Sequence, residues 1–575
     1  MAPSEETGAG PGAPGAISEK VPELLLVSLM ALGTFAVQFL LRSADDNRLT
    51  SWRWVFAASD PVRLFALAGV GVVLAGVLGR LPLPGRRPGA VLLVTSYAVG
   101  ACFWGEPEML VDASRYFTQA KHLELYGFGH FLAEWGREIP AWTDLPLVPF
   151  LYGLIFRLLG ESRLFIQAFT TLLFSASVLL TFRLGRELWD AEVGFTAGAL
   201  LLSMPYLLTQ VPGMLVDVPA MFFLTLALAT AVEAFRHGGP GRILLAGIAV
   251  FLAFFSKYSV WLLLSVVPLA WMVLRRGAPS AARAGLGVAL IAGALTGAAL
   301  LWNRAVTTAQ ISLLLDYQAP GLRRWGESFA STFLFQLHPF LTAAALLSAW
   351  RAARLRDPRI ALAWWPVLLL LALRVERIRY WIPLFPMLAL MAAYGLQVIR
   401  SREVRNHLLA CTVMGSLVVA GTGYLPFLRG TSAANLKAAG EYLDTLPEPQ
   451  VEVYTESPMA PEVNPAVSVP ILDLFTAKEI VYRYDPVPAP ERVERSPLRF
   501  TWAYRNPPSY QGIAGAGAAV VVISGDATGE PAPLTEPLAS RLAGHRLARR
   551  FAATEGLFEH QTIVSVYRAE APSPR

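Results

Sequence analysis

Ionisable side chains stand beside long apolar runs at several points of this chain. Asp217 lies inside MLVDVPAMFF, residues 214–223. Lys257 follows one apolar run, and Arg379 precedes another. A charge at the centre of a membrane-spanning helix costs about 2.5–3.5 kcal/mol, so such residues usually face a cavity, a partner or water. A carboxylate can accept a proton and a cation can hold an anion, so these residues are candidates for a functional site.

The composition is that of a polytopic membrane protein. Of the 575 residues, 54% are hydrophobic and only 16% are charged, which indicates a large lipid-facing surface. The net charge of +6 comes without a dense basic run with interleaved aromatic residues, which argues against nucleic acid as a partner. A helix needs about 17–25 residues to cross the bilayer. We predict thirteen spans, near 22–41, 61–80, 88–104, 163–182, 192–209, 214–234, 242–256, 258–274, 283–302, 331–350, 359–373, 380–399 and 407–425.

Arginine residues in the short loops predict the orientation of these spans. Groups such as Arg183 and Arg186 fall on alternate loops, and loops rich in lysine and arginine face the cytoplasm. The loop 105–162, the loop 303–330 and everything after residue 426 are then outside. The ionisable residues described above all fall at outer span ends.

The chain is predicted to have three parts. Residues 1–21, rich in glycine, proline and glutamate, are predicted to be a disordered cytoplasmic tail. Residues 22–425 form the transmembrane domain. Residues 426–575 contain the strand-like runs VEVYTES, EIVYRYD, AVVVISG and TIVSVYR, and the helical patterns AANLKAAGEYLDTL and PLASRLAGHRLARRF. They predict a small α/β domain outside the cytoplasm.

The first outer loop is the most informative segment. Its sequence GEPEMLVDASRYFTQAKHLELYG, residues 105–127, follows a span directly and contains Asp112 and Tyr116. It is followed by TDLPLVPFLYGLIFRLLGES, which predicts a helix along the membrane interface, and then by LGRELWDAEVGFTAGALLLSMP, LVDVPAMFF, SKYS and RIRYWIPLFP. In these elements and their order, residues 90–425 resemble the GT-C glycosyltransferases, specifically the protein O-mannosyltransferase and lipid A aminoarabinose transferase family.

The resemblance implies a GT-C-like, polytopic α-helical fold and an enzyme of the plasma (inner) membrane with its active site on the extracytoplasmic face. Such an enzyme moves a sugar, with inversion, from a polyprenyl-phosphate carrier in the membrane lipid to a protein, lipid or glycan acceptor. The family's first-loop aspartate carries over to Asp112, which makes 105–162 the catalytic loop. The chain departs from the family pattern where Ala113 replaces a glutamate, and where Asp144-Leu145-Pro146 replaces His/Lys-Pro-Pro.

The required chemistry points to the same residues. Displacing a phosphate-linked sugar needs a base near the acceptor, and Asp112 is the best-placed carboxylate. A lipid-linked phosphate stays at the interface, where Lys257, Arg379 and Arg377 are predicted to bind it. The other site candidates are Tyr116, Asp144, Asp217, Tyr380, Glu106 and Glu108.

Each assignment has a structural alternative. Asp112 could be a helix N-cap or a surface acid, although we favour catalysis. For Asp217, two residues before Pro219, the favoured interpretation is an N-cap at the outer start of a span, with site lining as the alternative. Lys257 could extend its ammonium group to the interface as a snorkelling side chain. The group Arg374, Glu376, Arg377 and Arg379 could be an interfacial ion-pair cluster.

No cofactor is predicted with certainty. Glu106 and Glu108 could join Asp112 in holding a divalent cation, whereas solvated loop acids are the favoured alternative. No cluster of histidine and cysteine has the spacing of a zinc site.

Two other function classes are left open beside the glycosyltransferase. A transporter or flippase of lipid-linked sugars would share the spans and cations, but such proteins usually show repeats or broken midplane helices. A membrane-tethered receptor would have no need of acids and cations gathered at outer span ends.

Overall fold

The computed structural model describes residues 21–570 apart from short gaps. The predicted tail therefore lies outside the described residues, except for Val21. The gaps are 58, 82–84, 86, 106–109, 276–280, 319–325, 432–433, 457–462, 485–490, 492, 494–497, 499–500, 503, 516, 525–537 and 554–561.

Apolar helices dominate the chain before residue 430. Within the described ranges, six are long and apolar enough to cross a membrane: Val21–Leu40, Pro61–Leu78, Arg163–Leu188, Asp217–His237, Ala281–Trp302 and Arg402–Arg429. Shorter apolar helical segments are Pro88–Ala101, Leu147–Leu159, Ala191–Ser203, Pro240–Ser256, Val260–Leu274 and Pro358–Ala372. The polytopic α-helical class is confirmed, but the count of thirteen spans is not.

Several predicted spans are divided into shorter pieces. The predicted span 192–209 consists of Ala191–Leu200, a 3₁₀ turn and Pro205–Gln210. The predicted span 380–399 begins with the 3₁₀ segment Ile378–Leu384. Proline explains both breaks, because it lacks an N–H and is favoured in the first turn of a helix.

The remaining helices complete the bundle and its outer loops. Those of the bundle and loops are Trp52–Val55, Leu110–Glu134, Arg304–Leu313, Pro339–Leu355 and Phe385–Leu396. The C-terminal part adds Ala434–Asp444, Val469–Asp473 and Leu538–Leu542.

Helices approach one another closely where glycine leaves room. Gly395, in Phe385–Leu396, lies against Pro339–Leu355. A Cβ at Gly395 would clash with the carbonyl oxygen of Ala344. Small residues at such contacts let helix backbones approach each other. The packing holds Phe385–Leu396 in place, and with it the turn that carries Arg379.

The C-terminal part contains a five-stranded sheet. Its strands are β1 (Gln450–Thr455), β2 (Glu479–Arg483), β3 (Ala519–Ser524), β4 (His545–Phe551) and β5 (Ile563–Ala569). The strand order is β2-β1-β3-β5-β4. β1 pairs in parallel with β2 and β3, whereas β5 runs antiparallel to β3 and β4. All four runs predicted as strands form strands, and the predicted helix in this part is present at Ala434–Asp444.

One C-terminal prediction is wrong. The segment PLASRLAGHRLARRF is predicted as a helix, but only Leu538–Leu542 is helical and His545–Phe551 is strand β4. Gly544 has φ +80°, which suits glycine and separates the two elements. Among the described residues, β4 pairs only with β5. Its basic residues suit an edge strand, because charge there discourages pairing with another chain.

The helices of the loop 105–162 and the C-terminal sheet share one hydrophobic core. Ala113 and Phe117 of Leu110–Glu134 belong to the same buried cluster as Val453 of β1 and Leu472. The predicted helix in the loop is confirmed as Leu147–Leu159 and joins this cluster. The helix that carries Asp112 is therefore held by the C-terminal part as well as by the bundle.

Candidate active site

Four of the predicted site residues form a continuous series of ion pairs. Arg379 donates from Nη1 to Asp112 Oδ2 and from Nε to Asp217 Oδ2 at 2.8 Å. Lys257 Nζ donates to Asp217 Oδ1 at 2.5 Å. Residues from four separate segments of the chain thus meet at one place.

The series continues from Asp112 toward the second half of the loop. Arg115 Nη2 lies 3.0 Å from Asp112 Oδ1 and 3.2 Å from Asp144 Oδ1. Gln119 Nε2 donates to Asp144 Oδ2 at 3.2 Å. We call the six alternating charges the ion-pair series. Its members, in order, are Asp144, Arg115, Asp112, Arg379, Asp217 and Lys257.

Helix ends place Asp217 and Lys257. Asp217 is the first residue of Asp217–His237, and Lys257 follows the last residue of Pro240–Ser256. An anion is favoured at a helix N-terminus and a cation at a C-terminus, because each opposes the partial charge of the helix dipole. Lys257 adopts an extended backbone, with φ −162° and ψ 136°, which ends the helix there.

The favoured interpretation of Asp217 is wrong. The N-cap of its helix is Val216, and no side-chain cap hydrogen bond is formed. The fully buried Asp217 carboxylate instead accepts from Lys257 and Arg379. Its two cationic partners explain how a carboxylate is tolerated there, because a buried charge needs an opposite charge and hydrogen bonds. The alternative, that Asp217 lines the site, matches its position.

Lys257 is also buried, and the structure does not place it as a snorkelling side chain. Its side chain is 8% exposed, and its ammonium group lies 5.0 Å from the centre of the Tyr380 ring. A cation near an aromatic face gains electrostatic attraction when both are shielded from water. Tyr380 thus forms one wall of the site.

Arg377 belongs to a neighbouring ion pair. Its Nε lies 3.8 Å from Glu327 Oε1, and Glu327 also accepts from the backbone N–H of Ile378 at 3.2 Å. This pair links the turn that carries Arg379 to the outer segment after residue 326. Arg377 and Arg379 are both at most 9% exposed, and each forms an ion pair with a carboxylate of another segment.

Of the remaining predicted site residues, two lie outside the described part of the chain and two lie in or next to the ion-pair series. Glu106 and Glu108 lie outside the described residues. Tyr116 is buried, with the Arg115 guanidinium 5.7 Å from its ring centre. Asp144 is buried and paired with Arg115. The structure thus brings eight of the ten predicted site residues into one region.

The electrostatic environment separates the two loop carboxylates. Burial alone would raise the pKa of Asp112, but the guanidinium groups of Arg379 and Arg115 outweigh burial and hold this pKa well below its usual range. Burial raises the pKa of Asp144 above its usual value despite Arg115. Two carboxylates in one site with pKa values moved in opposite directions are suited to different roles.

The described part of the chain offers no group of histidine, cysteine and acidic residues arranged as a metal site. Each carboxylate oxygen of Asp112 accepts from an arginine, Oδ1 from Arg115 and Oδ2 from Arg379. The arrangement at Asp112 is that of an ion-pair network. The predicted cation site at Asp112 includes Glu106 and Glu108, which lie outside the described residues.

Two members of the site were missed in the sequence. Arg115 stands three residues after Asp112 on one helix, and such pairs face each other, so spacing could have indicated it. Glu327 lies in the outer segment 303–330 and carries no local motif. Its contact with Arg377 depends on the packing of distant segments.

Comparisons with known proteins concern the family and the fold of the chain. Residues 142–314 match the model of a family described as dolichyl-phosphate-mannose-protein mannosyltransferase. No curated protein matches the chain at a significant level.

The fold is similar to that of a solved structure. The crystal structure of ArnT from Cupriavidus metallidurans bound to undecaprenyl phosphate aligns with a TM-score of 0.51 at 13% identity, over 84% of this chain and 98% of that one. The archaeal oligosaccharyltransferase AglB from Archaeoglobus fulgidus, in complex with an inhibitory peptide and a dolichol-phosphate, aligns with a TM-score of 0.45 at 12% identity, over 76% of this chain and 69% of that one. The family match and the fold of the first structure confirm the predicted resemblance: the chain is a GT-C-fold membrane protein similar to the protein O-mannosyltransferase and aminoarabinose transferase family.

Proposed function

We propose that the protein is an integral-membrane glycosyltransferase that moves a sugar from a polyprenyl-phosphate donor to an extracytoplasmic acceptor. The observation that carries this proposal is the ion-pair series, in which a loop carboxylate and two buried cations share one site. The similar ArnT structure, which contains undecaprenyl phosphate, supports a lipid phosphate as the ligand of those cations.

In the proposed reaction, Asp112 acts as the general base. The acceptor hydroxyl or amine loses its proton to Asp112 as its oxygen or nitrogen forms a bond to the anomeric carbon of the sugar. The bond between that carbon and the phosphate oxygen breaks, and its electron pair leaves with the phosphate. Attack opposite the leaving phosphate inverts the configuration at the anomeric carbon.

Arg379 connects the two ends of this reaction. It donates to Asp112 from Nη1 and to Asp217 from Nε. When Asp112 takes a proton, its attraction for the Arg379 guanidinium falls. At the same moment the departing phosphate gains a second negative charge. The guanidinium can then bind the phosphate with little movement, which suits the stabilisation of charge that develops during the reaction.

Lys257 and Asp217 keep Arg379 in position. Asp217 is fully buried and holds both cations, so it fixes their separation before the donor arrives. Prearranged charges need no reorganisation during the reaction. Lys257, Arg379 and Arg377 are proposed to hold the donor phosphate, with Asp217 as a positioning residue.

A further proposal concerns location. The site is formed by segments that the arginine-rich loops place on the extracytoplasmic side of the plasma (inner) membrane. The residues 426–575, which pack on the loop that carries Asp112, would then form an α/β domain on that same side.

The experiment that tests the proposed function compares cell envelopes with and without the gene. Mass spectrometry of glycans, glycolipids and glycoproteins should show a sugar that is lost on deletion. Wild-type protein should restore it, whereas the Asp112→Asn variant, expressed at the same level, should not. Unchanged envelope glycans after deletion would contradict the proposal.

A further inference from the structure

Arg115 and Asp144 belong to the ion-pair series but have no part in the reaction proposed above. Arg115 Nη2 lies 3.0 Å from Asp112 Oδ1 and 3.2 Å from Asp144 Oδ1. The Asp144 side chain is 6% exposed. Burying a carboxylate is costly even when it is paired, so the presence of a second buried carboxylate beside the proposed base needs an explanation.

Asp144 is fixed by three hydrogen bonds besides its ion pair. Its carboxylate accepts from Gln119 Nε2 at 3.2 Å, and its backbone carbonyl accepts from Gln310 Nε2 at 2.6 Å. Its backbone N–H donates to the Ala141 carbonyl at 2.7 Å. Gln119 is itself held in place, because the same amide nitrogen donates to the Pro140 carbonyl at 2.8 Å. Asp144 is therefore a firmly anchored carboxylate.

The helix Leu110–Glu134 places the other groups of this arrangement on one face. Asp112, Arg115 and Gln119 stand at positions i, i+3 and i+7, and residues at such spacings lie above one another on a helix. Arg115 thus reaches Asp112 on its own helix and Asp144 in the loop that follows the helix. It joins the proposed base to the anchored carboxylate.

The two arginines that hold Asp112 have different neighbours. Arg379 also donates to Asp217 and belongs to the proposed phosphate site, so in the proposed reaction it turns from Asp112 Oδ2 toward the departing phosphate. Arg115 holds Oδ1 and also pairs with Asp144. The series therefore gives Asp112 one arginine on the phosphate side and one on the side of an anchored carboxylate.

We propose that Asp144 is a positioning residue that acts on the base through Arg115. It fixes the Arg115 guanidinium, which holds Asp112 Oδ1 and keeps this carboxylate turned toward the acceptor while Arg379 moves to the phosphate. The inference rests on the proposed function and adds the groups that orient its base. Orientation matters because a displacement of about 1 Å can cost about 10²-fold in rate.

The test measures sugar transfer and donor binding by Asp144→Ala in the full-length protein. We expect kcat to fall by about 10–100-fold, because the base is less well oriented. The donor KM and the affinity for radiolabelled polyprenyl phosphate should stay within about twofold, because other side chains make the proposed phosphate contacts.

A double-mutant cycle shows whether Asp144 acts through Arg115. Arg115→Gln should also lower kcat, and the double variant Arg115→Gln/Asp144→Ala should have the same kcat as Arg115→Gln within about twofold. If Asp144 instead contacts the reactants itself, the two losses multiply in the double variant, which would overturn the inference.

Asp473→Ala is the matched control. Asp473 is also a buried carboxylate, and it pairs with Lys121 of the same helix. Lys121 pairs with Asp473 and Glu161, whereas Arg115 pairs with Asp144 and the proposed base. Both alanine variants should lower the thermal midpoint, but Asp473→Ala should keep kcat within about twofold. An equal loss of kcat in the two variants would show that the role of Asp144 is purely structural.

An unchanged kcat of Asp144→Ala would also overturn the inference, since Arg115 would then hold the base unaided. Should Asp144→Ala fail to fold, Gln119→Met takes its place, because it removes a hydrogen bond that anchors Asp144 and removes no charge. It should lower kcat about tenfold, and an unchanged kcat would overturn the inference. Wild-type protein that transfers no sugar refutes the proposed function itself, whereas the other contrary results refute this inference alone.

Discussion

Replacing Asp112 by asparagine should abolish transfer while leaving a folded protein that binds its donor. Asparagine keeps the size of the side chain and a hydrogen-bond acceptor, but it cannot take the acceptor's proton. General-base assistance is worth about 10²–10⁴-fold in rate, which corresponds to about 3–5 kcal/mol in the activation barrier. The loss should fall on kcat, because the proposed donor contacts are made by other side chains.

The structure also indicates how much the Asp112→Asn substitution should lower the free energy of unfolding. Breaking a buried ion pair costs about 3–5 kcal/mol when the remaining charge is left without a partner. In Asp112→Asn, Arg379 keeps Asp217 and Arg115 keeps Asp144. The free energy of unfolding should therefore fall by less than that range, and thermal unfolding in detergent measures it.

The assay follows sugar transfer and donor binding in parallel on the purified variant. Glu134→Gln, at the other end of the helix Leu110–Glu134, makes the same chemical change away from the ion-pair series and should keep wild-type kcat. Near-normal turnover by Asp112→Asn would refute the reasoning, exclude Asp112 as the base and move the assignment to Glu106, Glu108 or Asp144.

Further predictions concern the phosphate site, the topology and the response to pH. Lys257→Ala and Arg379→Ala should each raise the donor KM, because a hydrogen bond to a charged group contributes about 1.5–3 kcal/mol; if both variants keep the wild-type KM and kcat, the phosphate binds elsewhere. Single cysteines at residue 575 and in the loop 105–162 should both react with a membrane-impermeant thiol reagent in intact cells, and labelling of only one would refute the predicted number of spans between them. The pKa of Asp112 is lowered in the folded protein, so its contribution to stability is fully present above its ordinary pKa and is lost progressively as pH falls from there through the lowered value. As pH falls through the ordinary range of aspartate, near 4, protonation of Asp112 should therefore cause no loss of kcat/KM. If kcat/KM instead falls with a midpoint near pH 4, and this midpoint is absent in Asp112→Asn, the environment described for this carboxylate is contradicted.

The sequence predicts much of the site because membrane topology restricts where charges can lie. Alternating arginine-rich loops predict that Asp112, Asp217, Lys257 and Arg379 lie on one side of the membrane, and the structure joins them through ion pairs. The identity of their partners could not be predicted. Lys257 and Arg379 are separated from Asp217 by 40 and 162 residues, and contacts over such distances depend on helix packing, not on local pattern.

The errors have similar physical causes. An aspartate two residues before a proline fits a helix N-cap locally, yet Asp217 lies inside its helix and its tertiary partners decide its role. The strand His545–Phe551 was predicted as a helix because its local pattern suits one, and pairing with Ile563–Ala569 overrides that pattern.

The proposed function is tested most directly by the fate of the lipid carrier. Purified protein in lipid vesicles would be given polyprenyl-phosphate sugars labelled in the polyprenyl chain, extracted from the host envelope, together with an extract of envelope acceptors. We predict that free polyprenyl phosphate appears in step with glycosylated acceptor, and that neither forms with Asp112→Asn. Movement of the intact lipid-linked sugar across the vesicle membrane without release of polyprenyl phosphate would contradict a glycosyltransferase and identify a transporter.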